Sequence, residues 1–316
     1  MKGLTDIAGI RVGHVSDFQA ITGCTAILCP QGAAGGVDIR GSATGTEETP
    51  VLDPGHVTGA VHGILLAGGS AFGLEAASGV RRYLEHQGVG FDTGAAKVPI
   101  VPAAILYDLA IGKADVRPTV AMGEAAAAAA TGDAVREGSV GAGTGATVGK
   151  ILGMKQAMKS GVGSFTVTLA GGTMVSALAV VNAFGDVRDP ASGKILAGAR
   201  TTPNGTEFAD TEERMKRGAA GGFAVRNTTL VVVATNARLT KVQATKLAQQ
   251  GGLGMARTIF PVNTMFDGDI VFALSLGDRQ ADINVLGVAA AEAVAQSIVR
   301  AVRLARPLGG VPGLGK

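Results

Sequence analysis

Asn227-Thr228 opens the run Asn227-Thr-Thr-Leu-Val-Val-Val-Ala-Thr-Asn236, a polar pair at the mouth of a solidly apolar strand. If the chain breaks between the two, Thr228 carries a free α-amine beside its own hydroxyl, a nucleophile that brings its own base. The pair is also an ordinary strand entrance. With Thr229 it spells a glycosylation sequon, which matters only in a secreted chain. Phe266-Asp267-Gly268-Asp269 stands before a second apolar run. Asp-Gly between strands is a hairpin-turn signal. Equally, carboxylates at i and i+2 share one face of a strand and can orient an amine. The loop Gly141-Ala-Gly-Thr-Gly-Ala-Thr-Val-Gly-Lys150 ends in a lysine. Tyr107, one of two tyrosines, sits in an apolar stretch, where its hydroxyl needs a partner either in the core or at a reacting group.

Several chemistries are disfavoured by what is missing around these residues. The glycine loop fails the P-loop pattern, because Thr144 stands where a glycine is needed and Ile151 where a Ser or Thr is needed. It fails the dinucleotide pattern at Val148. What remains is a flexible loop, or one that lets backbone approach a reacting group while Lys150 faces it. Gly68-Gly-Ser-Ala-Phe-Gly73 resembles a nucleophile elbow, but Phe72 occupies the second glycine position. All four histidines (His14, His56, His62 and His86) come early, so a general base in the C-terminal part must be another group. Cys24 and Cys29 have no second pair and no nearby His, so two ordinary thiols are expected rather than a zinc site. No cofactor or metal is expected. The 28 basic and 25 acidic residues are spread along the chain, which argues against a nucleic-acid partner.

The elements that must position these residues follow from patterning. The chain has 316 residues, 47% hydrophobic but only 4% aromatic, with 49 glycines. Such a core packs closely through small aliphatic side chains, and its length suits a single domain, 1–316. Short strands are expected over 10–14 and 23–30, and an apolar stretch over 57–67. Helical spacing covers 72–86, 105–113 and 119–137. Strand pairs are expected for 151–158 with 163–169, and for 174–181 with its continuation to 194. Residues 200–220 are polar and read as an exposed linker or lid. A strand at 229–235, a helix at 240–251, a strand near 270–276 and a helix over 281–306 complete the chain. The last carries Leu286, Ala290, Val294, Ile298 and Val302 at helical spacing. Residues 160–185 hold no charge, yet Gly171-Gly172 divides them, so two strands joined by a turn fit better than a membrane span. With no signal-peptide pattern at the start, a soluble cytoplasmic protein is expected, with no membrane partner. Apolar strands with amphipathic helices imply an α/β fold of two stacked sheets covered outside by helices.

Taken in order, these segments resemble the DmpA-like aminopeptidases, self-processing hydrolases with an N-terminal nucleophile. The resemblance runs from Leu4-Thr-Asp-Ile-Ala-Gly-Ile-Arg-Val-Gly-His14 through Leu66-Ala-Gly-Gly-Ser-Ala-Phe-Gly-Leu-Glu75 and Pro102-Ala-Ala-Ile-Leu-Tyr-Asp108. It continues through the 141–150 loop, Ala179-Val-Val-Asn182, Asn227-Thr-Thr and Phe266-Asp-Gly-Asp269. The active-site pattern is most similar to nylon-oligomer (6-aminohexanoate oligomer) hydrolases, with Thr after Asn and an Asp-Gly-Asp pair, while the N-terminal region looks more like the general aminopeptidases.

The resemblance implies an αββα sandwich of the N-terminal-nucleophile type, cut between Asn227 and Thr228 into an α-chain, 1–227, and a β-chain, 228–316. It implies that Thr228 attacks first the Asn227 carbonyl and later a substrate amide. Asn182 and Tyr107 would orient and stabilise the oxyanion, and Lys150 would lower the basicity of the freed amine. Asp267 and Asp269 would hold that amine, or the amino group of a small peptide or amide-oligomer substrate. A homo-oligomer, a tetramer of αβ units, is implied as well. An acyltransferase of the ornithine acetyltransferase type, which also uses a self-generated N-terminal Thr, is the alternative.

Overall fold

The computed structural model describes residues 2–219 and 227–316. Nine strands form the principal sheet structure: β1 (Arg11–Asp17), β2 (Thr22–Ile39), β3 (Gly45–Glu47), β4 (Val61–Ala67), β5 (Ala103–Ile105), β6 (Val162–Thr168), β7 (Met174–Asn182), β8 (Thr228–Ala237) and β9 (Ile270–Arg279). The hydrogen-bonded order is β6-β7-β8-β9-β2-β4-β5-β3, with β1 added beside β2. The long strand β2 belongs to two layers. Its first half pairs with β1 and β4; after a register irregularity between Leu28 and Ala33, its second half pairs with β9.

These two layers stack. Leu178, Val180, Leu230, Val232, Ile270 and Phe272 from one sheet share a core with Ile27, Ile64, Leu66 and Ala104 from the other. Each sheet also buries its outer face. Val231, Val233, Val271 and Ala273 lie under α4 (Lys241–Ala256) and α5 (Ile283–Arg303). Ala26, Leu28, Leu65 and Ala103 lie under α1 (Ala76–His86) and α2 (Val120–Ala128). The result is αββα layering. It explains why β8 reads as an unbroken apolar run: a strand covered on both faces has no solvent side to mark with polar residues. The α/β expectation of two stacked sheets covered by helices therefore holds. Parallel pairing of β8 with β9, and of β4 with β5, is bridged in each case by a helix, α4 and α1.

Several local expectations give way to tertiary pairing. No helix forms over 105–113, because Ala103–Ile105 is consumed as β5 beside β4 and the chain turns at Asp108. The expected helix at 119–137 stops at Ala128, and Thr131 instead bridges to Val12. Residues 72–86 begin as a 3-10 turn, Ser70–Glu75, before α1. The partner of β6 is β7 rather than 151–158, with a turn at Gly171-Gly172, so the uncharged 160–185 stretch is a hairpin. Among the described residues α5 is long and apolar enough to cross a membrane, and it lies over the sheet with 72% of its most apolar window buried.

The segment expected to be an exposed linker is pinned at its start and near its middle. The Arg200 guanidinium donates to the carbonyls of Lys155 and Gln156. The buried Asp186 carboxylate accepts from Ala199 N and from both the amide and hydroxyl of Thr211, at the start of α3 (Thr211–Lys216). The end of the expected linker, Ala220, lies outside the described residues. Cys24 and Cys29 are free and belong to two different core clusters, Cys24 under the helices and Cys29 between the sheets. Burial pushes both thiols up to about 12.

Candidate active site

Thr228 is the first residue of β8, buried at the end of the sheet sandwich. Two neighbouring strands fix its surroundings. In the antiparallel ladder with β7, Thr228 stands opposite Asn182, the last residue of that strand. On the other side, the parallel register of β8 with β9 runs on past Leu230 and Ile270 to a bridge between Asn227 and Asp267. Residues far apart in sequence thus meet around one peptide bond because three strands end at the same level.

The Thr228 hydroxyl donates to the carbonyl oxygen of Asn227 at 2.6 Å. That same oxygen accepts from the backbone N–H of Gly268 at 2.7 Å, and the Asn227 amide in turn donates to Phe266 O at 3.0 Å. Asp267 and Asp269 flank this contact. Asp267 accepts from Phe184 N and, through its second oxygen, from the amide and hydroxyl of Thr264. Asp269 accepts from Thr229 N at 2.6 Å and from Asn263 N at 3.0 Å. A strap holds their backbone in place: Ala43 N donates to Asp267 O, and Arg40 N and Gly41 N donate to Asp269 O. Only glycine fits at Gly41, since a Cβ there would meet Asp269 N at 2.1 Å.

Lys150 approaches from the glycine loop. Its ammonium donates to Asn182 Oδ1 at 2.7 Å and to the Asn182 carbonyl at 3.0 Å. Asn182 Oδ1 also accepts from Thr147 N, and its amide nitrogen donates to the Tyr107 carbonyl at 3.0 Å. Tyr107 therefore enters the cluster through its main chain. Together with Thr147, Lys150, Ile111 and Met154 it lines a cavity of about 10 Å3, room for a single water. The structure thus brings all of Asn227, Thr228, Asn182, Lys150, Tyr107, Asp267 and Asp269 to one place.

The electrostatics are those of charges kept from water. Burial pushes the Lys150 amine down to about 7, against the opposing pull of Asp267. Burial, then the negative charge of Asp267, pushes Asp269 up to about 7, and burial also raises Asp267. Groups titrating near neutrality can exchange protons with a reacting centre at little cost.

Three contributors were not singled out in the sequence. Gly268 is hidden inside an Asp-Gly turn signal. Asp108, raised to about 6 by burial, accepts from Thr22 Oγ1 and Gly69 N. Lys159, lowered to about 7 by burial, donates to the carbonyls of Gly143, Ala146 and Ser160 and so holds the glycine loop that carries Lys150. An uncompensated lysine in an apolar context was the only signal available for the last.

Comparison with known proteins agrees with this architecture. The model of peptidase family S58 matches residues 2–314. An uncharacterized aminopeptidase of Mycobacterium tuberculosis is 39% identical over 344 residues, covering 99% of this chain and 96% of the relative. A 6-aminohexanoate-oligomer endohydrolase of Kocuria sp. is 30% identical, covering 94% of this chain and 85% of the relative. Among solved structures, a Burkholderia sp. beta-aminopeptidase superposes with a TM-score of 0.69 at 25% identity, covering 99% of this chain and 91% of the other. The L-aminopeptidase D-Ala-esterase/amidase of Ochrobactrum anthropi, described as a variant of the Ntn (N-terminal nucleophile) hydrolase fold, superposes at 0.73 and 20% identity over 98% of this chain and 88% of the other; at that identity it speaks for the fold. On the family match and these relatives, the chain belongs to peptidase family S58 and is a hydrolase of amide bonds.

Proposed function

We propose that the chain is a self-processing N-terminal-nucleophile amidohydrolase that cuts itself between Asn227 and Thr228 and then uses Thr228 on substrate. The observation that carries this reading is the placement of the Thr228 hydroxyl 2.6 Å from the carbonyl oxygen of its own preceding residue. Attack by Oγ1 on the Asn227 carbonyl carbon gives an ester and frees the Thr228 amine; water then hydrolyses the ester. In the cut enzyme that amine takes the hydroxyl proton as Oγ1 attacks a substrate amide, and an acyl-enzyme forms and is hydrolysed. Lys150 holds Asn182 opposite the nucleophile, and its positive charge keeps the nearby amine from being too basic. Asp267 and Asp269 receive the amine of Thr228 or of the substrate. Tyr107 supports Asn182.

The relatives' names support the proposed substrate class: peptides or amino-acid amides, taken as an aminopeptidase, or 6-aminohexanoate oligomers. A homo-oligomer of αβ units working in the cytoplasm completes the proposal. Intact mass of the purified protein tests it directly. Fragments spanning 1–227 and 228–316 are expected, and Thr228→Ala should abolish both cutting and hydrolysis. A wild-type chain that stays whole on prolonged incubation, or an active Thr228→Ala, would overturn it. Aminoacyl p-nitroanilides, short peptides and 6-aminohexanoate oligomers, each with and without an added amine acceptor, divide the substrate classes and separate hydrolysis from acyl transfer.

A further inference from the structure

We propose that the backbone N–H of Gly268 is the oxyanion donor for self-cleavage, a role distinct from that of Asn182. The inference rests on the self-processing reading above. Attack of Thr228 Oγ1 turns the Asn227 carbonyl oxygen into an oxyanion, and a donor is useful only if it already points at that oxygen. Gly268 N–H does so, at 2.7 Å. The Asn182 amide nitrogen is instead directed at the Tyr107 carbonyl, at 3.0 Å.

The aim of Gly268 is set by register. Asn227 bridges Asp267 as a continuation of the β8–β9 parallel ladder, so the N–H after Asp267 is delivered to the carbonyl of Asn227. It is then fixed by the strap at 40–43, which binds the carbonyls on both sides of Gly268, those of Asp267 and Asp269. The residue has to be glycine for a separate reason. A Cβ at 268 would stand 2.8 Å from Thr228 Oγ1 and 2.6 Å from Ala43 O, so a side chain would displace either the nucleophile or the strap. One residue therefore supplies the donor and leaves room for the attacking hydroxyl.

The step balances within the chain and one water. Oγ1 forms a bond to the Asn227 carbonyl carbon, and the Gly268 N–H holds the resulting oxyanion. The C–N bond to Thr228 then breaks, and the hydroxyl proton ends on the departing Thr228 nitrogen. Water converts the ester into the Asn227 carboxylate and regenerates the hydroxyl.

The test is replacement of Gly268 by glycolic acid through nonsense suppression in the full chain, which deletes the N–H and adds no atoms against Thr228. Appearance of the 228–316 fragment is followed by intact mass, with circular dichroism to check folding. Loss of one preorganised donor should slow cutting by about 10²–10³-fold. Cutting at the wild-type rate by a folded ester chain overturns the proposal. If the ester chain does not fold, Gly268→Ala decides: its Cβ, 2.6 Å from the main-chain Ala43 O, must shift residue 268 and turn its N–H away from the Asn227 carbonyl. Cutting at least about tenfold slower is then expected, and wild-type cutting overturns the proposal. A wild-type chain that never cuts defeats the self-processing reading itself. Equal rates in wild type and variant defeat only the role of Gly268.

Discussion

Lys150 grips Asn182 by both its oxygens, the side-chain amide at 2.7 Å and the backbone carbonyl at 3.0 Å, and Asn182 faces Thr228 across a rung of the β7–β8 ladder. One ammonium thus fixes main chain and side chain of the residue opposite the proposed nucleophile. Lys150→Met keeps most of the volume and removes the donors. Both self-cleavage and turnover per cut molecule should fall by about 10²-fold or more, the scale of losing a positioned polar group. Fragment appearance and p-nitroanilide release measure the two. A Lys150→Met chain that cuts and turns over at near wild-type rates would remove Lys150 from the machinery.

The pH dependence of stability follows from the raised carboxylates, and it is best read in the uncut Thr228→Ala background. Asp269 titrates at about 7 in the fold, above its ordinary 3.8. From about pH 4 to about pH 7 the folded state therefore holds a proton that the unfolded state has lost, and stability falls as pH rises, by up to about 1.4 kcal/mol per pH unit. His14 works against this over part of the window, because burial lowers it to about 4 and its charging favours the unfolded state at acid pH. Comparing Asp269→Asn with its parent isolates the carboxylate. The urea midpoint of the variant should lose less on going from mildly acid to neutral pH than that of the parent. Parallel midpoint curves would mean that Asp269 ionises normally.

Lys159 is fully buried, and its ammonium serves three carbonyls: Ala146 at 2.6 Å, Ser160 at 2.9 Å and Gly143 at 3.4 Å. Lys159→Met leaves those carbonyls, and the neighbouring Asp108, without their cation. Ala146 O keeps the Ser160 N–H and Gly143 O keeps the Ala146 N–H, so the Ser160 carbonyl loses most. At about 1–3 kcal/mol for a buried group left unmet, set against relief from burying the ammonium, a net loss of about 1–2 kcal/mol is expected. Urea unfolding of the Thr228→Ala chain with and without the substitution checks it. Unchanged stability would show that relief from burying the ammonium balances the lost contacts.

How much of this could be read in the sequence depends on how local each signal is. The apolar run of β8, the spacing along α5 and the Gly171-Gly172 turn are written within a few residues of one another, and all three appear in the fold. Thr228, Asn182, Lys150 and the Asp267/Asp269 pair can be singled out as candidates in the sequence because their motifs occur in a recognisable order, and the fold brings them together. The donor at Gly268 was not, because a backbone N–H has no residue type. Its direction exists only once β8 and β9 are in register across α4. The false helix at 105–113 fails for a related reason: pairing with β4 outweighs a helical apolar spacing. No motif assigns a role to Lys159 or Asp108 in the sequence, and their burial appears only when the fold encloses them.

The abundance of glycine gives the final prediction, since close helix-on-sheet packing should make some glycines irreplaceable and leave others free. At Gly163, in β6, a Cβ would meet Ser297 O of α5 at 2.0 Å and Ala301 N at 2.4 Å, both main-chain atoms that cannot swing aside. Gly163→Ala must push α5 away from the sheet, so a loss of about 3 kcal/mol or more is expected. At Gly132 a Cβ would meet nothing within 4 Å, and its backbone lies outside the left-handed region. Gly132→Ala should be neutral or stabilise by up to about 1 kcal/mol by restricting the unfolded chain. Chemical unfolding of the two variants side by side decides the matter. Comparable midpoints would mean that α5 can shift without loss, and that the small residues along this face are not what sets the distance between helix and sheet.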